Sequence, residues 1–291
     1  MTERQSGIDK RAVRRSFDRA AVSYDAAAVL QQEVCRRHLE RLDVVRQQPD
    51  CIVDIGCGTG SAWPGLQARY PRALMLALDL APGMLAQARA GQSWWRRLSR
   101  RMPRAICGDM ERLPICAGTA DLVWSNLALQ WAEDSSRAFA EARRVLRPGG
   151  LYSFTTFGPD TLSELRAAQS TADHYTHVSE FSDMHDLGDS LLAAGFAEPV
   201  MDVERFTLTY TDVVALMRDL KAIGARNATA SRPRGLSGRA WLQAVGRGYE
   251  PFRVNGRLPA TYEVVYGHAW VPEPKTGPGG RRVIDIKPVQ A

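Results

Sequence analysis

Apolar residues recur along this chain in two different periods, and the switch between them lays out the expected fold. Over residues 8–46 they fall at helical spacing, with Val13, Phe17, Ala20 and Ala21 among them, which predicts a helical N-terminal segment. The regularity breaks at Ser23-Tyr24-Asp25. Short continuous apolar runs then follow at residues 51–55, 73–79, 105–107, 121–126 and 151–157, separated by helix-like stretches. Runs of that kind are strands buried on both faces, and their alternation with helices predicts βαβ units on a parallel sheet. A helix through Ala138-Phe139-Ala140-Glu141-Ala142 is expected to stop at Arg147-Pro148-Gly149-Gly150, and another to run from Met184 to Gly195. A sixth strand is predicted over residues 200–210 and a last one over 262–270, which alternates enough to be antiparallel. The fold class is therefore α/β: a seven-stranded, mostly parallel sheet with an antiparallel last strand and helices on both faces. Residues 1–46 form a helical cap, 47–270 the main domain and 211–260 a lid insertion before the last strand. Residues 271–291, with several prolines and glycines, are expected to be a flexible tail.

The first buried run ends in three glycines spaced two apart, Cys51-Ile52-Val53-Asp54-Ile55-Gly56-Cys57-Gly58-Thr59-Gly60, and Ser61-Ala62-Trp63-Pro64 suits a helix opening. Strand, glycine turn and helix N-terminus together predict a ligand seat with bare backbone N–H groups. Glycine is needed where a Cβ would block the ligand or forbid a positive φ. A dinucleotide fingerprint reads G-x-G-x-x-G. Here the spacing is G-x-G-x-G, with Asp54 two residues ahead of the first glycine. This form resembles motif I of the class I S-adenosylmethionine (SAM) methyltransferases, in which the turn packs against the methionine end of the cofactor. The resemblance implies a Rossmann-like class I methyltransferase fold, SAM as cofactor, and Asp54, Gly56, Cys57, Gly58 and Gly60 as contacts.

Later strand ends carry side chains where adenosine would need them. Asp79 closes the second run, where a carboxylate can accept hydrogen bonds from both ribose hydroxyls. Leu80 follows it, and Met84 on the next helix is placed against the adenine. Asp109, with Met110 beside it, ends the third strand and is placed to accept from the adenine amino group. The fourth run leads through Asn126 into Leu127-Ala128-Leu129-Gln130-Trp131, beside the first strand in the crevice where such sheets bind ligands. An Asn-Pro-Pro-Tyr sequence would here point to methylation of a base amine, and a Pro-Cys dipeptide to attack on a pyrimidine. Neither is present, Cys116 following Ile115, which argues against a nucleic-acid substrate. Tyr24, on the segment before the glycine turn, can pack in the core or close over a cofactor.

Composition narrows the rest. With 291 residues, 45% hydrophobic and 24% charged, the chain has ample material for a core, and no run approaches the roughly 18 apolar residues of a membrane span. The N-terminus is polar, without a signal-peptide core, and the five cysteines (35, 51, 57, 107 and 116) show no metal-ligand pairing. A cytoplasmic protein with reduced thiols and no membrane contact is expected. His174, His177 and His185 lack supporting acids, so no metal is expected. The net charge of +6 and pI of about 9.2 invite an acidic partner, and nucleic acid, an anionic surface and an acidic carrier protein all remain open on charge alone. The stretch 91–104, with Trp94, Trp95, Arg96, Arg97, Arg100, Arg101 and Arg104, reads as a docking surface or an amphipathic helix. Arg226, Arg232, Arg234 and Arg239 mark a second basic stretch.

Several stretches together resemble the malonyl-[acyl-carrier protein] O-methyltransferases of biotin synthesis. They are Phe17-Asp18-Arg19-Ala20-Ala21 with Tyr24-Asp25, the glycine turn, Asn126-Leu127-Ala128-Leu129-Gln130-Trp131, Leu220-Lys221-Ala222-Ile223-Gly224-Ala225, and Thr261-Tyr262-Glu263-Val264-Val265-Tyr266-Gly267-His268-Ala269-Trp270. The resemblance implies esterification of the free malonyl carboxylate on acyl carrier protein, which lets chain elongation make the pimeloyl precursor of biotin. A carboxylate is ionised at neutral pH, so this reaction needs no general base. Tyr24, Gln130 and Trp131 are then the expected catalytic positions, the two aromatic faces holding the sulfonium. Arg19, Lys221 and Arg226 are the candidate cations for the acceptor. A related group, complex I assembly factors that hydroxylate a protein arginine, shares much of the pattern. An RNA methyltransferase using the basic surface is a third reading.

Overall fold

The computed structural model of the chain describes residues 7–92, 102–173, 175, 177–225, 227–228 and 238–274. The basic stretch 93–101, Arg226, Arg232, Arg234, His174 and most of the expected tail lie outside the described residues.

Seven strands form one sheet: β1 (Cys51–Ile55), β2 (Leu74–Asp79), β3 (Arg104–Cys107), β4 (Ala120–Ser125), β5 (Leu146–Phe157), β6 (Ala197–Tyr210) and β7 (Leu258–Trp270). Their spatial order is β3-β2-β1-β4-β5-β7-β6. The first five pair in parallel, and β7 runs antiparallel to both β5 and β6. The chain thus reverses its direction of sheet growth between β1 and β4, which opens the crevice where doubly wound sheets take ligands. All five residues of β1 are buried, as a central parallel strand covered on both faces requires. On β6 burial alternates along the strand, because an edge strand leaves one face to water.

Aspartate caps open several of the helices. Asp9, Asp134, Asp183 and Asp212 each accept from a backbone N–H of the first turn of α1 (Lys10–Ala20), α6 (Ser135–Val145), α8 (Met184–Ala193) and α9 (Val213–Ala222) respectively. The other helices, in chain order, are α2 (Tyr24–Ala27), α3 (Val29–Arg41), α4 (Trp63–Arg69), α5 (Pro82–Ala90), α7 (Ser163–Ser170) and α10 (Arg239–Tyr249). Proline opens α5, where its missing N–H costs nothing. The expected break of the N-terminal segment falls between α1 and α2, at Ser23.

Two boundaries differ from the expected ones. Arg147-Pro148-Gly149-Gly150 is not a gap between helix and strand. The helix ends at Val145 and β5 begins at Leu146, with a register shift between Ala120 and Leu122 where the prolyl–glycyl stretch lies on the sheet. Strand β7 begins at Leu258, four residues ahead of the expected start, because its pairing with β6 continues to Tyr210↔Leu258. The segment between β6 and β7 carries α9 and α10, which join α7 and β7 in a hydrophobic cluster that includes Leu165, Leu216, Val245, Tyr249 and Tyr262.

Candidate active site

The glycine turn is clamped from below by β2. The N–H groups of Gly56 and Cys57 donate to Leu78 O at 2.8 and 3.0 Å, and that of Gly58 donates to Asp79 Oδ2 at 2.9 Å. These amides are therefore already engaged, and the expected row of bare donors is corrected. At Gly56–Gly58 the turn offers a surface without side chains more than a set of free N–H groups. Gly56, Gly58 and Gly60 all have positive φ, at 70°, 53° and 81°. A Cβ on Gly56 would lie 2.3 Å from Ala128 Cβ, whereas one on Gly58 would meet nothing within 4 Å and would fill the open space above the turn.

Three expected contacts lie beneath this surface instead of on it. Asp54 is buried and accepts the indole N–H of Trp63 at 3.1 Å, and that indole lies against Gly60. Cys57 is buried in the cluster that holds Trp63 and Leu66. Asp54, Cys57 and Gly60 thus take part in the scaffold that supports the turn. Among the described residues Asp54 has no cationic partner, and burial, only partly offset by the Trp63 bond and reinforced by the charge of Asp79, pushes its carboxyl up to about 7.

The sign of the consequence is fixed. An ordinary carboxyl ionises near pH 3.9. Between about pH 4 and 7 the folded protein therefore holds a proton that the unfolded chain has lost, so this group's contribution to stability falls as pH rises through that window. Asp54→Asn retains an acceptor for Trp63 and removes the buried charge. Chemical denaturation should show it gaining roughly 2–3 kcal/mol more, relative to the parent, at pH 8 than at pH 5. An equal effect at both pH values would contradict the assignment.

Above the turn lies a cavity of about 400 Å³. Gly56, Gly58, Asp79, Leu80 and Met84 line it from the first two βα units, and Asp109 and Met110 from the end of β3. Asn126, Gln130 and Trp131 line it from the end of β4, Tyr24 from α2 and Lys221 from the last turn of α9. Arg19 is exposed on α1 and does not line the cavity, because the same helix turns Val13 and Phe17 inward. Arg226 lies outside the described residues.

Asp79 is half-buried, and each of its oxygens takes one backbone donor, Gly58 N at 2.9 Å and Ala81 N at 2.8 Å. A carboxylate oxygen has a second lone pair, so two acceptor positions remain. Burial pushes this carboxyl up to about 6, against the pull of the Ala81 and Gly58 amides. Asp109 Oδ2 is bonded to Lys10 Nζ at 2.6 Å, which straps α1 to the end of β3. Asp18 on the same helix accepts from Gly83 N at 2.8 Å, and Asp25 pairs with Thr59. The N-terminal helices are thereby tied to three of the strand-end loops around the cavity.

An aromatic group closes this end. Phe17 stands edge-on to Trp131, with centroids 5.2 Å apart and planes at 88°, and lies 6.5 Å from Tyr24. Burial, reinforced by Asp79 and Asp25, pushes the Tyr24 hydroxyl well above its usual range, so it remains a neutral donor. The loop after β4 is held by side chains: Thr155 Oγ1 receives Leu127 N at 2.8 Å and donates to Asn126 Oδ1 at 3.1 Å, and Gln130 Nε2 donates to Leu127 O at 2.7 Å. Leu127 sits at φ 47°, a left-handed conformation uncommon for leucine and one that such fastening sustains.

Beyond this end the walls are apolar, with Phe157, Leu162, Leu165, Phe181, Met217 and Leu220. Lining residues that no motif announced include Lys10, Gln169 and Trp241, and His177 lines the cavity with them. His177 is bonded through Nε2 to Asp173 at 2.8 Å, and Trp241 Nε1 donates to the same carboxylate at 2.7 Å. His185 lies in the first turn of α8 and does not line the cavity. Among the described residues no group of three His, Cys, Asp or Glu side chains could hold a metal ion, and no helix is long and apolar enough to cross a membrane.

A family described as "Methyltransferase domain" matches residues 53–154, from β1 to β5. Over its length the chain is similar to the malonyl-[acyl-carrier protein] O-methyltransferase of Methylovorus sp. (strain MP688), 55% identical across 97% of this chain and 96% of the relative. It is 54% identical, over 96% of each chain, to the protein of the same name from Nitrosospira multiformis. Among solved structures the fold is shared with the YcgJ protein of Bacillus subtilis, at a TM-score of 0.58 and 14% identity, covering 83% of this chain and 99% of that one. A 55% identity sustained from end to end, over a seven-stranded sheet with its glycine turn in the crevice, makes this chain a member of the malonyl-[acyl-carrier protein] O-methyltransferase family.

Proposed function

We propose that the protein transfers the methyl group of SAM to the free carboxylate of malonyl-[acyl-carrier protein], giving the methyl ester that primes pimeloyl synthesis for biotin. The observation that carries this reading is the end-to-end similarity to enzymes of that name, met by a cavity whose residues fit donor and acceptor. The open face of Gly58 and the two unspent acceptor positions on Asp79 fit the donor's amino-acid end and its ribose. Asp109 and Met110 are the proposed adenine contacts, with Leu80 and Met84 beside them.

SAM supplies a methyl group on a positively charged sulfur, and the chain supplies its place. Tyr24 and Trp131 present aromatic faces to that charge, each worth on the order of 0.5–2 kcal/mol. Gln130 and Asn126, fixed by Leu127 O and Thr155, shape the floor on which the carboxylate must lie. Lys221, exposed at the rim, is the proposed cation for the acceptor. The acceptor arrives ionised, so no side chain needs to remove a proton. Holding the oxygen in line behind the methyl carbon can supply roughly 7–11 kcal/mol of the barrier. Opposite charges cancel during transfer, and apolar walls that exclude water favour such a step. Residues 1–46 act as a cap over the donor and 211–260 as the lid over the acceptor. The cytoplasm is the proposed site of action, consistent with five free cysteines.

Intact-mass spectrometry tests the acceptor. With SAM present, malonyl-acyl carrier protein should gain one methyl group, and acetyl-acyl carrier protein, which lacks the free carboxylate, none. Modification of both carriers, or of neither, would refute the proposal.

A further inference from the structure

The apolar walls of the cavity hold one buried polar atom that no described residue satisfies. Gln169 is on α7, lines the cavity and is 5% exposed. Its Oε1 is buried and accepts no hydrogen bond. Among the described residues, it is the only buried side-chain oxygen or nitrogen without a partner that belongs to a residue lining this cavity. Its surroundings sharpen the contrast. One turn further on, Asp173 is fully used, taking His177 Nε2, Trp241 Nε1 and Tyr175 N at 2.8, 2.7 and 3.0 Å. The helix neighbours Leu165 and Ala168 are buried and apolar.

A buried amide oxygen left without a donor is costly, and a side chain of leucine's size would fill the same space without that cost. A carboxamide both donates and accepts, so its complement is a ligand group that does the same at adjacent atoms. The malonyl carboxylate and the thioester carbonyl only accept. Acyl groups on carrier proteins, however, ride on a pantetheine arm, and the first group beyond its sulfur and two methylenes is a secondary amide. Resting on the acceptor assigned above, we infer that Gln169 is a positioning residue that pairs with the pantetheine secondary amide nearest the thioester. The apolar walls around it take the methylenes, and the fixed distance from this amide to the malonyl carboxylate sets how deeply the carboxylate enters the crevice.

Two malonyl thioesters separate this contact from general acyl binding: the N-acetylcysteamine thioester, which has the amide, and the ethanethiol thioester, which lacks it. For each protein the readout is the ratio of kcat/KM for the first to that for the second. Gln169→Leu should lower this ratio about tenfold, which corresponds to about 1.4 kcal/mol. A ratio unchanged within twofold overturns the inference. A second readout needs no turnover. Removing an unsatisfied buried amide should raise Tm of the ligand-free protein by about 2 °C in Gln169→Leu or Gln169→Met. A lower Tm in both would mean that the amide serves the fold, and would overturn the inference as well. If the parent protein esterifies carrier-bound malonyl and the variants keep the parental ratio, only this inference falls. If the parent esterifies neither carrier-bound malonyl nor the small thioesters, the acceptor assignment falls and takes it along.

Discussion

Asp79→Ala should weaken SAM binding by a few hundredfold, measured by titration calorimetry at pH 7.5. The carboxylate sits at the end of β2, and each oxygen retains a lone pair after accepting from Gly58 or Ala81. Two hydrogen bonds from ribose hydroxyls to a charged acceptor, partly buried, are together worth about 3–4 kcal/mol. The loss compounds, because Gly58 N–H also loses its acceptor and the turn is no longer clamped at that point. A pH dependence accompanies it. Burial holds this carboxyl at about 6, and only the ionised form can accept from both hydroxyls. Parental affinity should therefore rise as pH increases from 5 to 7.5, with a proton released on binding, and Asp79→Ala should lose that pH dependence. Parental affinity in the variant would contradict the placement of the ribose.

Gly56→Ala should lower folding stability by about 2–5 kcal/mol and abolish SAM binding. Two costs combine at this position. The backbone has φ 70°, which burdens any residue with a Cβ by roughly 1–2 kcal/mol. The new methyl would also lie 2.3 Å from Ala128 Cβ, an overlap worth about 1–3 kcal/mol in a packed site. These costs separate experimentally. Adding Ala128→Gly removes the overlap and leaves the backbone term, so the double variant should recover about 1–3 kcal/mol relative to Gly56→Ala. Strictly additive effects of the two substitutions would show that the approach of β1 to the loop after β4 is not what demands glycine there.

Much of this architecture was legible because it rests on local rules. Parallel central strands are apolar throughout and end abruptly, so Asp79 stands out as an acid at a strand end, whereas Asp109 follows β3, a short edge strand. The glycine turn was visible for the same reason, since positive φ leaves few other residues. An all-buried strand carries no alternation, so nothing in the sequence tells which face the Asp54 carboxylate takes. The structure turns it down onto Trp63, a residue nine positions on whose indole needs an acceptor. The α1 face turned to the cavity carries Val13 and Phe17, and Arg19 stays exposed. Neither Gln169, nor His177 as a partner of Asp173, nor Trp241 carries a signal in the sequence. They belong to α7, the loop after it and α10, and only tertiary packing brings these segments to one wall. A satisfied glutamine and an orphaned one are written with the same letter.

The chemical bond formed decides the account. With SAM labelled in its methyl group and malonyl-acyl carrier protein as acceptor, the label should enter the carrier fraction and leave it as volatile methanol on mild alkaline treatment, as a carboxyl methyl ester must. Label that withstands base, or that appears on RNA or on a protein side chain and not on the carrier, would contradict carboxyl transfer in this cavity.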